Sequence, residues 1–65
     1  MFKVIRPKDT VIVDIFRDKV TGKYKYINLT KKHICPCNFN TIEDAIYDME
    51  KLKKQGKIIS YTYIN

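Results

Sequence analysis

The sequence predicts an α+β fold: a small antiparallel sheet, arranged ββ(β)αβ, with one amphipathic helix packed across one face. Three observations carry that expectation. Residues 40–56, NTIEDAIYDMEKLKKQG, hold a single helical pattern with signals at both ends. The segments before and after it are rich in β-branched and aromatic residues. Between two of those segments stands DKVTG, a turn sequence whose Gly22 suits a positive φ.

The helix is the firmest element. Asn40 with Glu43, and Thr41 with Asp44, each match a capping residue followed three positions later by an acid. Gly56 can take the left-handed conformation that closes a helix. Between them Ile42, Ala45, Ile46, Met49 and Leu52 recur at helical spacing and form one apolar stripe. Glu43, Asp44 and Asp48 lie early and Lys51, Lys53 and Lys54 late, so the charges complement the helix dipole. They stabilise the helix and form no binding motif.

The strands follow in chain order. Phe2 to Ile5 is a short candidate, stopped at Arg6-Pro7 because proline donates no ladder hydrogen bond. Thr10 to Arg17 is the strongest, with Val11, Val13 and Ile15 on one face and Ile12, Asp14 and Phe16 on the other. Lys23 to Leu29 returns as the second arm of a hairpin, Tyr24 and Tyr26 on one face and Lys23 and Lys25 on the other. After Tyr26 the apolar phase moves to Ile27 and Leu29, which requires a bulge or burial on both sides. His33 to Phe39 leads into the helix cap as a short third strand. KIISYTYI closes the chain, with Ile59, Tyr61 and Tyr63 on one face.

Sixty-five residues make one domain, near the lower limit for a single hydrophobic core. An apolar share of 45 % excludes a disordered tail. The opening MFKVIRPK is charged where a secretory signal is apolar, and no apolar run approaches the roughly 20 residues of a membrane span. Two cysteines are too few for a disulfide-built scaffold. The expected setting is a soluble protein in a reducing cytoplasm. Abundant Lys, Ile, Tyr and Asn beside one Ala suggest the AT-rich coding of low-GC bacteria and their phages.

Charge is unevenly spread. The net +6 resides entirely in residues 1–32, whereas the helix is slightly acidic. An anionic partner would meet the strand half first. There Arg17, Lys19, Lys23, Lys25, Lys31 and Lys32 surround Tyr24 and Tyr26, and this mixture of cations and rings is one that can hold a partner protein or nucleic acid. Phe39, Thr41, Glu43 and Ala45 then open the helix, and over roughly half the chain the pattern resembles the three-strand-plus-helix DNA-binding domains of phage integrases. That resemblance implies a DNA-binding role for the hairpin. The simpler role for these residues is structural, with tyrosines in the core and lysines guarding strand edges.

HICPC could place His33, Cys35 and Cys37 on one face of an extended segment. These are metal-ligand residue types, but the Cys-x-Cys spacing is unusual and a fourth ligand is missing. The favoured role for the cysteines is that of small buried hydrophobes, with no metal and no cofactor. No catalytic constellation is present in the sequence.

A non-enzymatic binding protein is therefore expected, of phage or mobile-element origin, that inhibits a host defence protein or nuclease by occupying its surface. The alternative is a DNA- or RNA-binding module using the 17–32 hairpin. Ile12 and Phe16, on the face of the best strand that one helix cannot cover, are expected to form a homodimer interface.

Overall fold

A computed structural model describes residues 1–64. It contains β1 (Phe2–Ile5), β2 (Thr10–Arg17), β3 (Tyr24–Asn28), β4 (His33–Ile34), α1 (Ile42–Lys54) and β5 (Ser60–Tyr63). The strands form one antiparallel sheet in the order β4-β3-β2-β1-β5. The expected α+β architecture is present, with β1 and β4 both joining the sheet.

Topology explains where the helix lies. The chain leaves the sheet at the β4 edge and re-enters it at the opposite edge as β5, so α1 must cross between them. Thirteen residues at 1.5 Å each give about 20 Å, close to the roughly 19 Å that separate the outer strands of a five-stranded sheet.

Register fixes the two faces. Phe2 lies opposite Val13 and Val4 opposite Val11, while Ile15 lies opposite Tyr26. These side chains share the face that carries the helix. Phe2, Val4, Val11, Met49 and Ile58 form the buried core, with Val13, Ile15, Tyr26, Ile46, Leu52 and Tyr61 packed around it. Phe2 meets the rings of Tyr61 and Tyr63 edge-on, at 6.2 and 5.4 Å between centroids. Lys3 lies opposite Ile12, Asp14 opposite Ile27 and Phe16 opposite Lys25, all on the other face. The pairing of β2 with β3 is continuous from Arg17 to Val13. No bulge is needed, because Ile27 lies on the face away from the helix.

Thr41 is the N-cap, and its Oγ1 accepts from the Asp44 amide at 3.0 Å. Asn40 is released from capping and its Oδ1 accepts from Lys23 Nζ. At the other end Lys57 N donates to Leu52 O at 3.0 Å and Gly56 N to Lys53 O at 3.1 Å, the bond pair of a Schellman cap. Gly56 has φ +76°, and a Cβ there would meet nothing within 4 Å. Gly56→Ala should therefore cost about 1–2 kcal/mol from backbone conformation alone. A urea titration should show that loss, and an unchanged midpoint would contradict the cap.

Ala45 and Met49 are buried, and Ile46 and Leu52 are half-buried. Ile42, at the start of the same stripe, is exposed. The last strand differs from the expected alternation. Ile58 enters the core while Ile59 is exposed, because the chain between the cap and Ser60 is not yet a strand and turns Ile59 outward.

Candidate binding surfaces

The basic hairpin residues are divided among three places. Arg17, Lys19 and Lys23 gather at the β2–β3 turn. Lys31 and Lys32 lie beyond the other end of β3, some five residues or about 17 Å away. Lys25 sits on the face away from the helix, 4.0 Å from an Asp18 carboxylate oxygen. Lys31 Nζ stands 3.4 Å from Asp9.

Tyr24 and Tyr26 face the helix side. The Tyr26 ring lies 5.1 Å from Phe39, and its hydroxyl donates to the Ala45 carbonyl, with Asp48 Oδ2 at 3.3 Å. On the opposite flank Tyr61 donates to Glu50 Oε1 at 2.5 Å. Two tyrosines thus hold the helix to the sheet from either side, and Tyr26 is not presented together with the lysines.

Burial, and next the Asp48 charge, push the Tyr26 hydroxyl well above the usual tyrosine range. An acid whose folded pKa is raised contributes stability that is fully present below its unfolded value of 10.0. That contribution is lost as pH climbs from there through the folded value. The wild type should lose stability above about pH 10, and Tyr26→Phe should show a shallower loss in the same range. Parallel urea midpoints across pH 9–11 measure it, and identical slopes would contradict the assignment.

In the HICPC segment, Cys35 N donates to Tyr26 O at 3.0 Å, and Cys37 N to Cys35 Sγ at 3.4 Å. Both thiols are free. Burial, followed by a hydrogen bond with Cys35, raises the Cys37 pKa and disfavours its thiolate. Among the described residues, no group of three His, Cys, Asp or Glu side chains is placed to hold a metal ion. His33 and Cys35 instead line a cleft.

That cleft arises from geometry. A helix about 10 Å wide that crosses the strands cannot cover the length of an eight-residue strand such as β2, about 26 Å, so space is left beside it. The cleft has a volume of about 210 Å³ and is walled by Val4, Val11, Val13, Met49, Leu52 and Ile58. Arg6, Tyr26, Asn28, His33 and Cys35 supply its polar groups. Arg6 also borders a second concavity, together with Pro7, Lys8, Asp9, Gly56 and Lys57. The Arg6 guanidinium binds both carboxylate oxygens of Asp9 at 2.6 Å, which holds that carboxyl below its ordinary pKa. In the sequence, Arg6 marks only the end of a strand.

The sheet's other face carries no helix. Ile12, Phe16 and Ile27 are joined there by Ile5, across from Thr10, and by Ile34, across from Ile27. Leu29 bonds through its amide to Ile12 O at 2.8 Å. Leu29 and Ile34 are exposed and the others half-buried. Lys3, Lys25 and Asp14 punctuate the patch, and the N-terminal ammonium lies 3.6 Å from Asp14. The face is apolar at most positions, and among the described residues no helix packs on it.

No family model, curated protein or solved structure significantly matches the chain. Among the described residues, no helix is long and apolar enough to cross a membrane.

Proposed function

We propose that this is a non-enzymatic binding protein that uses the bare face of its sheet to occupy a surface on another protein, inhibiting it. The observation that carries this reading is the apolar patch around Ile12, Phe16 and Ile27, opposite the helix. Monomers rarely leave such a patch without a use. The favoured partner presents an apolar patch rimmed by carboxylates, complementary to Lys3, Lys25 and the net charge of +6. The same charge works against pairing two copies of the chain, so a heterologous partner is favoured over a homodimer. Free thiols at Cys35 and Cys37 suit a reducing cytoplasm. The coding bias fits a phage or mobile-element product acting on a host protein.

The test combines capture with mass. Immobilised chain is exposed to lysate of a low-GC bacterium with and without nuclease treatment, beside a Phe16→Asp variant, and the free chain's mass is read by light scattering. The expected result is a protein retained by the wild type, lost with Phe16→Asp, and a free mass of 7.7 kDa. A mass of twice that value would show that a second copy fills the face. Retention that disappears with nuclease and falls steeply with salt would instead support nucleic-acid binding through the lysines.

A further inference from the structure

We propose that the two concavities sharing Arg6 form one binding site for a small amphipathic anion, an aliphatic carboxylate of about eight carbons. The site lies on the helix side of the sheet, away from the proposed protein-docking face, so the two readings succeed or fail separately.

The inner concavity supplies the apolar half. Val4, Val11, Val13, Met49, Leu52 and Ile58 wall a space of about 210 Å³. That is smaller than a drug-sized pocket and equals the liquid volume of about seven waters. A short alkyl chain fits this space and its apolar walls, whereas a folded lipid is too large for it.

The outer concavity supplies the charged half. Arg6, Lys8 and Lys57 border it, and Asp9 is the one acid among its lining residues. Asp9 is already held by the Arg6 guanidinium at 2.6 Å and approached by Lys31 Nζ at 3.4 Å. Three cations and one carboxylate therefore border the outer concavity, and Lys31 approaches that carboxylate as well, leaving positive charge beside the apolar cleft. The helix end nearby does not oppose an anion strongly, because its last carbonyls accept the capping bonds from Gly56 and Lys57. His33, at the rim of the inner cleft, adds a further donor. An apolar chain ending in an anion satisfies both halves; a neutral chain satisfies one.

The test is methyl NMR on the whole chain, titrated with octanoate, octanol, octylammonium and acetate below micelle-forming concentrations. Octanoate is expected to shift the methyls of Val11, Val13, Met49, Leu52 and Ile58 saturably while leaving Ile12 and Ile27 in place. Octanol and octylammonium should bind at least about ten-fold more weakly, as loss of one charge-assisted contact implies, and acetate should produce no cleft shifts. Lys57→Gln leaves the Arg6–Asp9 pair intact and should narrow the preference for octanoate over octanol. Arg6→Gln combined with Lys57→Gln should remove it, with the remaining spectrum unchanged as the check on folding. Equal affinity for octanoate and octanol, shifts confined to Ile12 and Ile27, or shifts that never saturate would each overturn the site.

Discussion

Met49→Ala should destabilise the domain by about 2–5 kcal/mol, the usual effect of opening a cavity in a packed core. Met49 is 3 % exposed and stands among Phe2, Val4, Val11 and Ile58, so its removal leaves these residues without a common partner. A chain of this length has a total stability of roughly 3–10 kcal/mol. The substitution therefore removes a large share of the total and should leave a substantial unfolded population at 37 °C. Circular dichroism during urea titration measures the effect. A loss below about 1 kcal/mol would mean that the helix does not seal the core.

Phe16→Asp should behave in the opposite way, leaving the fold intact and abolishing capture of the partner. Phe16 is half-buried on the face away from the helix, opposite Lys25, and belongs to no part of the core cluster. A carboxylate there stays hydrated and lies near a lysine in the free chain. In a complex the same carboxylate would be forced into an apolar contact, alongside the loss of an aromatic anchor. Aromatic anchors at interface centres contribute about 2 kcal/mol or more, so affinity should fall by roughly thirty-fold at least. A variant that melts like the wild type but no longer retains the partner is the expected outcome. Retention unchanged by Phe16→Asp would remove this face from the account.

Much of the fold was legible in local chemistry. The cap at Thr41, the glycine at position 56 and the stripe through Ala45 and Met49 act within a few residues of one another, so the sequence displays them directly. The division of β2 into Val11, Val13 and Ile15 against Ile12 and Phe16 follows from a period of two. What was not legible depends on distant parts of the chain. Ile58 rather than Ile59 fills the core because the path from the helix cap into β5 sets the phase. Tyr26 bonds to the helix because Ala45 and Asp48 lie above it, a placement decided by where α1 crosses. The cleft beside Arg6 follows from strands longer than the helix that crosses them is wide, and no sequence pattern marks it. The apparent unity of the basic hairpin was likewise an effect of sequence proximity, since β3 separates Lys19 and Lys23 from Lys31 and Lys32.

The central claim is that the sheet face around Phe16 is where a partner protein docks, and site-specific photocrosslinking tests it most directly. A benzophenone amino acid is placed at Phe16 in one chain and at Tyr47, which is 73 % exposed on the helix, in another. Each is irradiated in nuclease-treated lysate. A discrete adduct to a heterologous protein from position 16, with none from position 47, is the predicted result. An adduct from position 47 alone, or from position 16 only a species at twice 7.7 kDa, would contradict it.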